Sequence, residues 1–143
     1  MSIKQIMVSL DNLPGRLLEL SECLGAEGIN IRAVSLASTP DTSYMRFVAD
    51  DPVKAANVLQ THGYSTTVAD VVAVEVPDHP GGLQAVLKPL KSANVNVLYL
   101  YPYLGRGEGG HAIVIMGVDN TEKAVDVLRK NWVHTFGQEI YAL

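Results

Sequence analysis

The chain is short of several things, and each shortage narrows what it can be. It has one cysteine, Cys23, in 143 residues, which excludes an internal disulfide and a cysteine-rich zinc site. It has no excess of basic charge. Eleven Lys and Arg against fifteen Asp and Glu leave a net charge of −4, so no electrostatic footprint for nucleic acid or anionic lipid is present. It has no long hydrophobic run; stretches such as Ala112–Met116 are far too short to span a bilayer. The first residues, Met1-Ser2-Ile3-Lys4-Gln5, lack the apolar core and small-residue cleavage site of a signal peptide, so a cytoplasmic location is expected. The four histidines, His62, His79, His111 and His134, follow no metal-ligand spacing, and no nucleophile elbow or P-loop occurs. Neither a catalytic residue, a metal site nor a cofactor is expected. A hydrophobic content of 48% against 18% charged residues is that of a compact folded protein rather than a disordered one.

What the chain does have is a repeat. Asn12-Leu13-Pro14-Gly15-Arg16-Leu17 returns as Asp78-His79-Pro80-Gly81-Gly82-Leu83. The alignment continues without a gap through Leu20/Val86, Leu24/Leu90, Ile29/Val95, Asn30/Asn96 and Ile31/Val97. Asp50, Ala55, Val58 and Leu59 then match Asp119, Ala124, Val127 and Leu128 at a slightly larger offset. The repeat unit is a small domain, longer than a solenoid repeat. Two units are expected, 1–70 and 71–143, each too small to bury much core alone.

Each copy reads as β-α-β-β-α-β. In the first, Ile6, Val8 and Leu10 alternate as a strand ending at Asp11. Pro14 suits a helix start, and Leu17, Leu20 and Leu24 form one helical stripe that ends between Gly25 and Gly28. Ile29–Ala37 and Tyr44–Ala49 are extended around a turn at Ser38–Asp41. A second helix starts at Asp50-Asp51-Pro52, and Ser65–Ala69 is extended. In the second copy, strands are expected at Val72–Val76, Asn96–Tyr103, Ala112–Gly117 and His134–Gly137, with helices at Gly81–Ala93 and Thr121–Asn131. This is the ferredoxin-like split β-α-β order, an α+β fold with helices on one face of an antiparallel sheet. Val68–Val72 runs from one copy into the next without a linker.

The Pro-Gly turn carries the chemistry. A helix N-terminus presents free N–H groups and a positive dipole end, which suit a carboxylate. Gly15 and Gly81 allow a ligand close to the backbone. Asn12 and Asp78 offer a side-chain oxygen to an ammonium group. The plain alternative is that Asn12 and Asp78 are helix N-caps and the glycines serve the turn. Asn30 and Asn96, at the start of the second strand of each copy, weigh against it, because they recur with the turn at the same spacing.

This constellation resembles the ACT domain, a family of small regulatory modules that bind amino acids. Asn12, Pro14, Gly15, Leu17, Gly28, Asn30 and Ile31 fit its pattern in the first unit, and Asp78, Pro80, Gly81, Leu83, Asn96 and Val97 in the second. The resemblance covers essentially the whole chain. It implies two units side by side, their sheets joined into one eight-stranded sheet, with a free amino acid held between the turn of one and the second strand of the other. Asn12, Leu13, Pro14, Gly15, Arg16 and Leu17 would then face Asn96 and Val97. Asp78, His79, Pro80, Gly81, Gly82 and Leu83 would face Asn30 and Ile31. The protein would be a regulator without catalysis of its own, or a regulatory subunit of an amino-acid biosynthetic enzyme such as an acetolactate synthase small subunit.

The copies are unequal. Asn12 is neutral where Asp78 is charged, Arg16 becomes Gly82, and Leu13 becomes His79. Two sites of different affinity are expected. Gly105–Gly110 spells a literal GxGxxG but leads into a strand, so the dinucleotide reading fails and a hairpin loop is expected. Cys23 reads as a small buried residue on the first helix. Tyr99, Tyr101 and Tyr103 alternate on one strand face, and Leu98, Leu100 and Leu104 lie off it. With helices on only one side of the sheet, a homodimer or a partner enzyme is expected to cover the other. The aromatic strand also suits an RNA-binding sheet, but the basic surface such a domain needs is missing.

Overall fold

The computed structural model describes residues 2–105 and 111–143. The expected GxGxxG loop lies mostly outside the described residues. The elements are β1 (Ile3–Asp11), α1 (Arg16–Ala26), β2 (Ile31–Ser38), β3 (Thr42–Ala49), α2 (Pro52–Thr61), β4 (Thr66–Val76), α3 (Gly82–Ser92), β5 (Val97–Pro102), β6 (Ala112–Val118), α4 (Thr121–Lys130) and β7 (Thr135–Phe136), followed by a 3-10 turn at Gln138–Tyr141. The α+β class and the order of elements are those read from the repeat. Among the described residues there are seven strands rather than eight. The last strand of the first copy and the first strand of the second are a single strand, β4, because no turn-forming residue interrupts Thr66–Val76.

The chain divides into two compact units, Lys4–Ala69 and Asp70–Leu143, the latter with the N-terminal residues up to Ile3. In the first unit β3 lies between β1 and β2, antiparallel to both; Val8 faces Met45 and Val34 faces Phe47. Ile6, Val8, Leu10, Met45, Phe47 and Ala49 project from the sheet onto Leu20 and Leu24 of α1 and Ala55 and Leu59 of α2. In the second unit β6 lies between β4 and β5, and β7 pairs with Ala73 and Val74 of β4. Val72, Val74, Val76 and Met116 pack on Val86 and Leu90 of α3 and Ala124 and Leu128 of α4. The alternation of these strands and the 3–4 spacing of these helices require this one-sided packing.

All four helices end alike. The N–H of Gly28 bonds Gly25 and that of Ile29 bonds Leu24; the same two-bond pattern closes at Gly63/Tyr64, Asn94/Val95 and Trp132/Val133. This is the Schellman ending, in which one residue turns left-handed. That residue is Gly28 (φ 71), Gly63 (φ 84), Asn94 (φ 57) and Trp132 (φ 64). The next residue, apolar or aromatic each time, folds back onto the core; Ile29 and Val95 are buried.

The helix-free face is not simply open. Ala33, Val48, Ala73, Tyr101, Ile113 and Ile115 are all buried within the single chain. Tyr103 is held by its hydroxyl, which donates to the Ile140 and Leu143 carbonyls 3.1 and 3.0 Å away, so the C-terminal turn covers part of this face in the second unit. The leucines expected opposite the tyrosines, Leu98 and Leu100, remain exposed on β5, as does Leu104 beyond it. The final strand is shorter than expected, Thr135–Phe136, because the chain turns at Gly137, whose N–H is taken by the Glu139 carboxylate at 2.9 Å.

Candidate functional site

The four helices begin in two ways. Asp51 caps α2, its side chain accepting the Lys54 N–H at 3.1 Å, and Asn120 caps α4 by accepting the Lys123 N–H at 3.1 Å. The helices that follow the Pro-Gly turns have no side-chain cap. Their N-cap residues are Gly15 (φ 86) and Gly81 (φ 85), both left-handed. Pro14 therefore lies in the turn and not in the helix, which starts two residues later than it suggests. The N-cap reading of Asn12 and Asp78 fails with it, because the left-handed glycine carries the chain past their side chains. The amides of Leu17 and Leu18, and of Leu83 and Gln84, get no side-chain acceptor. Such an opening suits an anionic group such as a carboxylate.

Asn12 is occupied elsewhere. Its Nδ2 donates to the Thr39 carbonyl at 2.9 Å and its backbone N–H to the Asp41 carbonyl at 3.0 Å. The turn is thus lashed to the β2–β3 hairpin, while Oδ1 remains open as an acceptor. Leu13, Pro14 and Leu17 are exposed. Arg16 is exposed too and lies 3.4 Å from Glu19, a surface pair of little energetic weight.

In the second unit the turn closes on itself. The Gly82 N–H donates to the His79 carbonyl at 2.9 Å, and His79 Nδ1 donates to the Pro80 carbonyl at 2.9 Å, leaving Nε2 free. Gly82 is buried, and a Cβ there would sit 1.8 Å from the Pro77 carbonyl oxygen. That contact explains why Arg16 has glycine as its counterpart. Asp78 is exposed and makes no hydrogen bond or ion pair within the described residues. Pro80, Gly81 and Leu83 are exposed beside it.

Asn30 and Asn96 open their strands in the same way. The Asn30 N–H donates to the Asp50 carboxylate at 3.0 Å, and the Asp50 N–H returns to the Asn30 carbonyl at 3.0 Å. Asn96 and Asp119 repeat this at 3.0 and 3.1 Å. The backbone clasp fixes each asparagine and leaves its exposed side-chain amide unengaged. Asp50 and Asp119 were visible in the repeat, but their role in placing the asparagines was not. Within the second unit, Asn96 and Val97 line one cleft with Asp119, and Asp78 and His79 line another. The structure does not bring the turn and the strand of one unit together.

Cys23 is half-buried. Burial first, and the Glu27 charge second, push its thiol above the usual range, which disfavours the thiolate. Among the described residues no group of His, Cys, Asp and Glu has the arrangement to hold a metal ion, and no helix is long and apolar enough to cross a membrane.

Two ferredoxin-like units, each with an uncapped helix after a Pro-Gly turn and a clasped asparagine opening its second strand, define a tandem pair of one small α+β domain. The chain belongs to the ACT domain pair family, which it matches over residues 1–140. A protein of Bacteroides thetaiotaomicron, known by its crystal structure, is 31% identical over 100% of this chain and 98% of its own, with a TM-score of 0.92. The regulatory subunit of aspartate kinase from Thermus thermophilus shares the fold at 16% identity, over 92% of this chain and 94% of that one, with a TM-score of 0.66. Aspartokinase alpha and beta subunits are similar at 16% identity, over 90% and 91%, with a TM-score of 0.61. No curated protein matches the chain.

Proposed function

We propose that this chain is a non-catalytic regulatory protein that binds a free amino acid at the junction of ACT units. The observation that carries the reading is the contrast in helix starts. Two helices are capped by Asp51 and Asn120, and two are left open at Gly15 and Gly81. An open N-terminus takes the ligand carboxylate; the Asn12 Oδ1 or the Asp78 carboxylate takes its ammonium group. Asn12–Leu17 works with Asn96 and Val97, and Asp78–Leu83 with Asn30 and Ile31, the asparagine amides closing over the ligand. Bridging two units, the ligand favours one arrangement of them, and that arrangement is what a partner reads.

A second reading makes the chain a regulatory subunit held on an amino-acid biosynthetic enzyme, in the manner of an acetolactate synthase small subunit. It draws on the fold shared with an aspartate kinase regulatory subunit and on the exposed leucines 98, 100 and 104. Co-purification with a larger enzyme would favour it.

A thermal-shift screen of the free amino acids tests the first reading. A ligand at a hundred times its Kd stabilises by about 2.7 kcal/mol. The shift is expected for at least one amino acid and should shrink in both Asn12→Ala and Asp78→Ala. No shift with any amino acid removes the proposal.

A further inference from the structure

Trp132 is the protein's single tryptophan and is 95% exposed. It also occupies a left-handed position, φ 64, where a side chain is strained relative to glycine. The fold does not ask for tryptophan there: the same ending in the first unit uses Gly63, at φ 84. A large aromatic ring that is strained and packs on little is placed for a contact beyond the chain.

Its surroundings say of what kind. Trp132 lines a cleft of about 430 Å³ together with Glu75, Asp78, His79, His111 and His134. That volume is of small-molecule size. Among the described residues, the cleft has two carboxylates and neither lysine nor arginine. The Glu75 carboxylate lies 2.5 Å from His111 Nδ1, an ion pair when that histidine is protonated, and the Glu75 N–H donates to the His134 carbonyl at 3.0 Å. Asp78 has no partner among the described residues. The matching cleft of the first unit differs in both respects: Gly63 stands in place of the tryptophan, and Arg16 brings a positive charge. An aromatic face and a carboxylate that line one cleft are groups that together attract a cation.

We propose that the Trp132 cleft binds a small organic cation, an ammonium or guanidinium group set between the indole face and the Asp78 carboxylate. The cleft lies wholly within the second unit and uses neither Asn30 nor Asn96. The proposal therefore goes beyond amino-acid binding at a junction and shares only Asp78 and His79 with it.

Because Trp132 is the only tryptophan, its emission reports the cleft directly. The full chain is titrated with choline, butylamine and agmatine, and with butanol and butyrate as neutral and anionic controls. A saturable change is expected with at least one cation, about tenfold tighter than with either control, and weakened about tenfold by Asp78→Asn. Trp132→Gly should fold with an unchanged or higher melting temperature and lose the cation's thermal shift; Trp132→Phe should keep part of it. Emission that ignores all three cations, or answers the controls equally, overturns the proposal. So does a change in emission on concentrating the protein alone, which would place Trp132 against a second copy. A clear fall in the melting temperature of Trp132→Gly would assign the ring to packing and also overturn it. An amino-acid response lost in Asn12→Ala while the cation response persists separates failure at the junction from failure here.

Discussion

In the first unit the Pro-Gly turn is held from outside: Asn12 reaches across to Thr39 and Asp41 on the β2–β3 hairpin. In the second the turn is held from within, by Gly82 on the His79 carbonyl, His79 on the Pro80 carbonyl, and a glycine pressed against Pro77. Both routes put a left-handed glycine at the start of an uncapped helix, at φ 86 and φ 85. They release different groups. The first leaves Arg16 and one amide oxygen facing outward; the second leaves a free carboxylate and a histidine nitrogen. One backbone path is thus kept twice, while its chemistry changes from neutral and cationic to anionic.

The sharpest way to break this comparison is at Gly82. Gly82→Ala should destabilise the protein by about 3 kcal/mol, because a Cβ meets the Pro77 backbone and not a movable side chain. Arg16→Ala, at the matching position, should change stability by less than about 0.5 kcal/mol. Chemical denaturation of the two variants decides it; equal losses would mean the turns are held alike. Next come the left-handed glycines. Gly15→Ala and Gly81→Ala should each cost about 1–2 kcal/mol, through φ alone at Gly15, where a Cβ would meet nothing within 4 Å.

Caps give a smaller and more telling contrast. Asp51→Ala and Asn120→Ala should each lose about 1 kcal/mol. Asn12→Ala should lose about 0.5–1 kcal/mol with its bond to Thr39. Asp78→Ala should lose none, since its carboxylate bonds nothing among the described residues. A stability loss at Asp78 matching that at Asp51 would restore the capping role denied to it. The smallest effect separates the units by pH. Glu139, in the second unit, has its carboxyl held below the usual carboxylate range first by the Gly137 N–H and then by its own N–H, with His134 and Arg129 adding to the effect. A lowered folded-state pKa stabilises above the unfolded value and is lost as pH falls through the folded one. Glu139→Gln should therefore be slightly less stable at neutral pH and converge with the parent in acid, as thermal melts across pH would show.

Much of this was legible in the residues. Alternation at Ile6, Val8 and Leu10 and the leucine stripe at 17, 20 and 24 settled a strand and a helix, because burial of one face leaves such patterns little freedom. Helix starts were less legible. Pro14 before a leucine stripe reads as a first helical residue, and only the left-handed φ of Gly15 moves the start to Arg16. The fused β4 was half visible in the missing linker at Val68–Val72. The clasp of Asn30 by Asp50 joins residues twenty positions apart. Its signal, the parallel recurrence of Asp50 and Asp119, names no partner. Trp132 was hidden because a left-handed helix ending predicts glycine or asparagine, as Gly28, Gly63 and Asn94 illustrate.

The most direct test is calorimetric titration of the full chain with whichever amino acid stabilises it in the screen. Two binding events of unequal affinity are expected, Asn12→Ala weakening one and Asp78→Ala the other. A single class of identical sites, weakened equally by both substitutions, would contradict the claim that one architecture serves two different chemistries.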